Sequence, residues 1–183
     1  CVLTVVVLFI SGVTNAQLTA GAELTVSVPE NCLIDTNGAP VNLTLIASVA
    51  GSSLPTVSNS NMYLRISSIV PGGTARKVTV RISSGLVPIG TKLTLGAAAS
   101  TSSSGSGQRG TVSAPIMLSS TDQTIISGIG SCYTGTGYTD GYRLTYTWGP
   151  YNPQTDYQLI TATVTPVTIT VLFTISAPDG NNY

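Results

Sequence analysis

Apolar and polar residues alternate with a period of two through most of this chain. The runs that show it are 24–28, 41–45, 62–66, 78–82, 93–95, 125–126, 142–148 and 167–175. A period of two is the repeat of a β-strand, because successive side chains of a strand point to opposite faces. No segment offers a convincing 3.6-residue helical repeat. The sequence therefore predicts an all-β protein.

Turn-forming residues separate these runs. Pro, Gly, Asn and Asp cluster around residues 29–31, 36–40, 71–73, 135–141 and 150–153. One apolar face per strand means that two sheets cover each other, so we predict a two-sheet antiparallel β-sandwich of about seven to nine strands. Pro166 is expected to separate a strand at 158–165 from one at 167–176, since proline cannot donate to a sheet. A chain of 183 residues fits one such domain.

The start of the chain departs from this pattern. Residues 2–10 are almost wholly apolar, and small residues follow up to Ala16. This order is typical of a secretory signal peptide, with cleavage expected before Gln17. The apolar run is too short to span a bilayer as a helix. We predict a signal at 1–16, a mature domain at 17–183 and a secreted, extracellular or cell-surface location; the alternative for the run is a buried strand.

Two cysteines, Cys32 and Cys132, follow the predicted signal. An even count in an exported chain favours a disulfide between them. The large loop that it closes would gain about 4–5 kcal/mol of stability. The alternative is a pair of free buried thiols.

The composition removes most catalytic and metal chemistry. The chain contains no histidine, which excludes Ser-His-Asp and Cys-His catalysis and the commonest metal ligand. Its seven acidic residues fall mostly in turn-like contexts, so a catalytic carboxylate pair is not expected. We predict a non-enzymatic protein without a cofactor. Calcium binding at residues 35–38 is left open beside the alternative of an Asx-turn.

Charge is sparse and balanced, with seven basic and seven acidic residues. Nucleic-acid binding needs a clustered basic face, so no nucleic-acid partner is predicted. The basic cluster Arg76, Lys77 and Arg81 is interpreted as a solvated strand face, because strand side chains alternate.

Aromatic residues are concentrated between positions 133 and 157. Tyr142, Tyr146 and Trp148 share one strand face and are predicted to lie in the core. A second set, Tyr133, Tyr138 and Tyr151, is surrounded by glycines and prolines, which favours exposure. Exposed aromatic rings of this second set are candidate glycan contacts, with ordinary packing as the alternative.

Residues 100–110 form a Ser- and Gly-rich stretch that has almost no apolar area to bury. Such a stretch is expected to be a mobile surface loop within the single domain. Loops carry function in many proteins, but a plain connection is the favoured interpretation.

Several segments together resemble a known class of proteins. They are NAQ at the end of the predicted signal, LTVSVPE, VTVRISSG, QTIISGIGSCYTGTGYTDGYRLTYTW and TVTPVTITVLFTIS. In pattern they are similar to small secreted bacterial proteins with spore-coat-protein-U-like domains and, more distantly, to chaperone–usher pilins. The resemblance implies an immunoglobulin-like sandwich, export and a structural or adhesive role. It supplies no catalytic residues.

Usher-type pilins lack one strand and receive it from a neighbouring subunit. Only residues 17–22 would precede the first predicted strand of the mature chain, which is too little for a donor arm. We therefore predict a secreted structural or adhesin-like module that closes its own sandwich. If the first residues are retained, a filament subunit is the alternative, with a donor strand formed by Val2, Val5, Val7 and Phe9. The third hypothesis is a carbohydrate-binding module, so the candidate partners are a second copy or a surface glycan.

Overall fold

The computed structural model describes residues 20–178 and is a two-sheet antiparallel β-sandwich. The predicted fold class is therefore confirmed. The predicted signal at 1–16 and the predicted donor strand at 2–10 lie outside the described residues.

Eleven strands lie within residues 20–178, and a 3₁₀ turn covers Tyr157–Leu159. The strands are β1 (Asn31–Thr36), β2 (Val57–Ile69), β3 (Arg76–Ser84), β4 (Thr91–Ala98), β5 (Ser106–Gly107), β6 (Thr111–Val112), β7 (Ile116–Met117), β8 (Gln123–Ile129), β9 (Cys132–Tyr133), β10 (Tyr142–Pro150) and β11 (Thr170–Ile175). Four of these are two-residue strands, so seven carry most of the two sheets.

The larger sheet is organised around β2. Its strand order is β5-β9-β2-β10-β4-β7, and β1 pairs with the remaining edge of β2. The first part of β2 pairs with β10, whereas its last six residues pair with β1. The smaller sheet has the order β11-β3-β8-β6. β11 therefore ends the smaller sheet on the same side of the sandwich as β1.

The core lies between the inner faces of the two sheets. Leu64 and Leu144 on the larger sheet and Val78, Val80 and Ile126 on the smaller one are completely buried. Tyr142 and Tyr146 are also buried, which confirms their predicted place in the core, and Trp148 packs against its margin. Alternation thus placed the main apolar faces inward, as expected for half-buried strands.

Three predicted strands do not form. Residues 24–28, 41–45 and 158–165 alternate in sequence, but the structure assigns no strand to any of them. Alternation reports which side chains prefer an apolar surface, whereas a strand also needs a partner backbone that completes its hydrogen bonds. Within residues 20–178 these three segments have no such partner.

Candidate functional site

The first described residues, 20–29, form an exposed segment that we call the arm. No helix, strand or turn is assigned to it, and each of its residues is exposed. Its even-numbered residues are all apolar: Ala20, Ala22, Leu24, Val26 and Val28. The three largest are 84%, 81% and 81% exposed, in chain order. The arm therefore presents an apolar face that nothing within residues 20–178 covers.

An ion pair between the buried Arg76 and the exposed Glu30 holds the base of the arm against the sandwich. Arg76 Nη2 donates to Glu30 Oε1 at 2.5 Å, and Arg76 Nη1 donates to the carbonyl oxygen of Ser176 at 2.8 Å. Arg76 is 4% exposed, so its predicted place on a solvated strand face is wrong. The pair fixes the point where the arm leaves the body, beside the start of β1, the start of β3 and the end of β11. We call this the arm end of the sandwich.

An apolar groove of about 590 Å³ opens between the two sheets. Its floor includes Met62, Leu93, Tyr146 and Trp148 of the larger sheet. One wall comes from residues 39–45, which follow a turn at Gly38 (φ +66°), and the other comes from residues 166–171. None of the lining residues within 20–178 is charged, so this part of the groove suits apolar side chains.

Both walls of the groove have unpaired backbones. Residues 40–48 make no backbone–backbone hydrogen bond within the described chain, and neither do residues 161–169. Among the strands of residues 20–178, β11, which continues the second wall, is the last of its sheet and pairs on one edge only. Within residues 20–178, no strand is hydrogen-bonded to either wall on its groove side.

Burial around the core shows the same gap. The inward-facing residues of β11, Val171, Phe173 and Ile175, are only half-buried. The inward-facing Ile126 and Ile129 of β8, which lies inside the same sheet between β3 and β6, are completely buried. Within residues 20–178, the side of the sandwich that carries β1 and β11 is open at the groove, whereas residues 111–119 pair with both sheets on the opposite side.

The polar atoms on the groove floor are already engaged. Trp148 Nε1 donates to Thr91 Oγ1 at 2.9 Å, and the Tyr146 hydroxyl lies 3.6 Å from Met62 Sδ. Burial raises the pKa of Tyr146 well above its ordinary value, which keeps the phenol neutral. The floor thus offers an uncharged apolar surface at any physiological pH.

The groove and the arm base occupy opposite ends of the sandwich. β11 runs from Thr170 beside the groove to Ile175 next to the Arg76 pair. β1 starts beside the same pair and runs six residues towards the groove wall. At about 3.3 Å per residue this separates the arm end from the groove end by roughly 17 Å.

The predicted disulfide between Cys32 and Cys132 is absent, and both thiols are free. The two cysteines lie opposite Ser68 on the two edges of β2, so one whole strand separates them. Two strand spacings put their Cα atoms roughly 9–10 Å apart, beyond the reach of a disulfide. Burial raises the pKa of the Cys132 thiol, which lowers its reactivity.

The three tyrosines proposed for glycan contact are exposed but do not form one surface. Tyr133 and Tyr138 lie near the start of β10, where Asn37 Nδ2 donates to the carbonyl oxygen of Tyr138. Tyr151 follows the last residue of β10 and lies under Lys92, whose Nζ is 5.7 Å from the ring centre. The nine residues of β10 place the two groups roughly 25 Å apart.

The loop that the sequence predicts to be mobile carries a network of hydrogen bonds. Arg109 donates to the carbonyl oxygens of Ser100, Ser102 and Gly105, and the Tyr142 hydroxyl donates to the carbonyl oxygen of Arg109. Ser102 Oγ also donates to Asp140. That bond, with one from a backbone amide, lowers the pKa of the carboxyl. Composition alone does not reveal these contacts, because Asp140 and Tyr142 are distant from the loop in sequence.

The side chains proposed for calcium are occupied by protein partners. Asp35 Oδ2 accepts from Arg65 Nη2 at 2.7 Å, and Asn37 Oδ1 accepts from the backbone amides of Ala39 and Tyr63. The bond from Ala39 is the Asx-turn that the sequence offered as the alternative. Within residues 20–178 there is no cluster of three or more acidic, cysteine or histidine side chains.

Comparisons of this chain with protein-family models, curated proteins and solved structures found no match. In the described part of the chain, no helix has the length and apolar character needed to cross a membrane. The arm and the groove are therefore the features on which a function can be argued. Sequence reasoning missed this pair because it assigned Leu24, Val26 and Val28 to the body of the sandwich.

Proposed function

We propose that this protein is a structural subunit that assembles head to tail, with the arm of one copy lying in the groove of the next. The observation that carries the proposal is the exposure of Leu24, Val26 and Val28, each above 80%, in a chain that also carries an open apolar groove. An unpaired strand-like segment with an apolar face is prone to associate unless a partner covers it.

The arm and the groove match in chemistry. The apolar face of the arm suits the uncharged lining, while Glu23, Thr25 and Ser27 alternate on its polar face and can remain in water. The unpaired backbone on both walls can accept the hydrogen bonds of an added strand. Strand addition of this kind takes affinity from main-chain bonds and specificity from alternate side-chain pockets.

The placement of the two features favours an open polymer. The arm leaves the sandwich at one end, and the groove lies at the other. The donating surface of each copy differs from its accepting surface. When two copies bind, one keeps a free arm and the other keeps a free groove, so further copies can add at both ends. A head-to-tail contact that does not close into a ring produces a filament.

The proposed donor differs from the one predicted from sequence. It is the segment 20–29 rather than residues 2–10, and it lies after the predicted cleavage point, so processed and unprocessed chains both contain it. The objection that too few residues precede the first strand does not apply, because β1 begins only at Asn31. Export and a surface location remain predictions from the signal-like start, and carbohydrate binding remains a prediction from the exposed tyrosines.

The test uses the full chain and a variant with Leu24→Asp and Val26→Asp. Sedimentation velocity and negative-stain electron microscopy should show concentration-dependent polymers for the wild type and monomers for the variant. Because both side chains are exposed in the single subunit, the thermal midpoint of the variant should match that of the wild type.

Thr25→Asp is the matched control, since it places the same charge on the polar face of the same arm. This variant should polymerise like the wild type. A wild type that stays monomeric at every concentration would refute the proposal. The proposal would also be refuted if the Leu24→Asp, Val26→Asp variant formed as much polymer as the wild type.

A further inference from the structure

The edge of β11 that faces the groove is a preformed template for a further strand. β3 pairs with one edge of β11, and within residues 20–178 no strand pairs with the other. The opposite wall, residues 39–45, is not a strand and contains Pro40, which has no amide hydrogen to donate. β11 is therefore the wall on which an added strand finds a regular row of donors and acceptors.

Side-chain size fixes the direction of the added arm. The large residues Leu24, Val26 and Val28 are in the second half of the arm, and the small Ala20 and Ala22 are in the first. On this wall the described lining of the groove runs from Pro166 to Val171, and further along β11 the strand contacts β1 instead. Matching the large residues to the groove lining places Val28 near residue 167 and Ala20 near residue 175.

The attachment of the arm gives the same direction independently. Val28 is close to the donor body, which joins the arm at Glu30, so it should lie at the mouth of the acceptor groove. Ala20 then lies deepest, towards the acceptor's arm end. β11 runs from the groove end to the arm end, so the two chains run in opposite directions.

The alternation of both segments restricts the register. The inward residues of the arm have even numbers, and the half-buried, inward residues of the acceptor wall are Ile169, Val171, Phe173 and Ile175. Opposed residues of an antiparallel pair share a face, so an even residue must face an odd one. Val28 near position 167 then puts Leu24 opposite Val171.

We propose that the arm adds to the free edge of β11 as an antiparallel fifth strand of the smaller sheet, with Leu24 opposite Val171 of the next copy. This inference rests on the proposed head-to-tail assembly and assigns its acceptor strand, direction and register. A slip by two residues keeps the faces matched but places one of the three large side chains opposite a residue outside the groove lining.

Disulfide trapping between two single-cysteine chains tests the direction. The background carries Cys1→Ser, Cys32→Ser and Cys132→Ala, and one chain adds Ser27→Cys on the polar face of the arm. Its partner adds Thr168→Cys, directly opposite in the proposed register, where Cβ atoms are about 5 Å apart. The matched control partner adds Thr174→Cys, about 20 Å further along β11.

Mild oxidation of the co-assembled chains should give a covalent dimer with Thr168→Cys and none with Thr174→Cys. The reverse outcome means a parallel arm and overturns the inference. Polymers that trap neither pair also overturn it, because the arm then lies elsewhere, although head-to-tail assembly would stand. Chains of the native sequence that form no polymer refute the proposed function itself.

A photoreactive benzoylphenylalanine at position 27 of the chain with native cysteines provides a second measurement if the cysteine-free background does not fold. Its cross-link to the next copy should map by mass spectrometry to residues 166–170. A cross-link that maps to residues 173–177 overturns the proposed direction.

Discussion

Two segments run along opposite sides of the sandwich, and only one of them is bonded to the sheets. Residues 111–119 pair with β8 through β6 and with β4 through β7, and Ser113, Leu118 and Ser119 add backbone hydrogen bonds to Ile125, Leu93 and Ile82. Residues 39–45 alternate just as regularly but make no backbone bond to either sheet within the described chain. Within residues 20–178, the backbone is therefore paired with the sheets along one side of the sandwich, the closed side, and unpaired along the other, the open side.

The difference lies in backbone partners and not in hydrophobicity. Leu118 on the closed side is buried, whereas Val41 and Leu43 on the open side are only half-buried beside a groove. Apolar side chains point inward on both sides. Within residues 20–178, only the segment on the closed side also forms backbone hydrogen bonds with the sheets. Residues 40–48 and 161–169 are exposed or half-buried, so water can satisfy their backbone, and an added strand would stabilise this side chiefly by covering apolar side chains.

The largest contrast between the two sides should appear in the stability of the single subunit. Leu118→Ala removes a buried side chain from the closed side and should lower the free energy of unfolding by about 2–5 kcal/mol. Ile169→Ala changes a half-buried groove wall and should cost about 1 kcal/mol or less. Urea unfolding of both variants below the assembly threshold checks this, and equal losses would contradict an open side.

A smaller effect, confined to assembly, is expected from Val26→Ala. The substitution removes two methyl groups from the apolar face of the arm, worth about 1.6 kcal/mol at 0.8 kcal/mol per group. The critical concentration for polymerisation should therefore rise roughly tenfold, while the unfolding midpoint stays unchanged. Ser27→Ala, on the polar face, is the matched control. Equal shifts for both variants would show that the face of the arm does not matter.

The smallest effect should come from reduction of the cysteines. Because Cys32 and Cys132 are free thiols on either side of β2, dithiothreitol should leave the thermal midpoint of the subunit unchanged. Thiol titration of the unfolded chain should find both residues reactive. A marked fall of the thermal midpoint in reductant would show that the two cysteines form a disulfide, which would require a different position for β1.

Sequence alone was sufficient for the fold class and for much of the core. Alternation placed Tyr142, Tyr146 and Val80 inside, because a half-buried strand shows its two faces in its residue order. It failed where the outcome depends on a distant partner. Leu24, Val26 and Val28 have the pattern of a paired strand, and nothing in their order shows that no strand within residues 20–178 pairs with them.

The predictions drawn from the basic cluster and from the cysteine count were wrong for a similar reason, since both depend on residues that are distant in sequence. Arg76 belongs to a basic cluster in sequence, but the fold brings Glu30 to it and buries it. The two cysteines satisfy the count for a disulfide, but the register places Ser68 between them. Sequence reasoning suggested self-assembly by strand donation, and the proposed assembly takes residues 20–29, instead of residues 2–10, as the donor.

Hydrogen exchange of the backbone amides is the most direct test that a neighbour's arm fills the open side. Peptides that cover residues 20–29 should exchange rapidly in dilute subunits and slowly in polymers, and residues 111–119 should be equally protected in both. Arm amides that exchange as fast in the polymer as in the subunit would contradict the account.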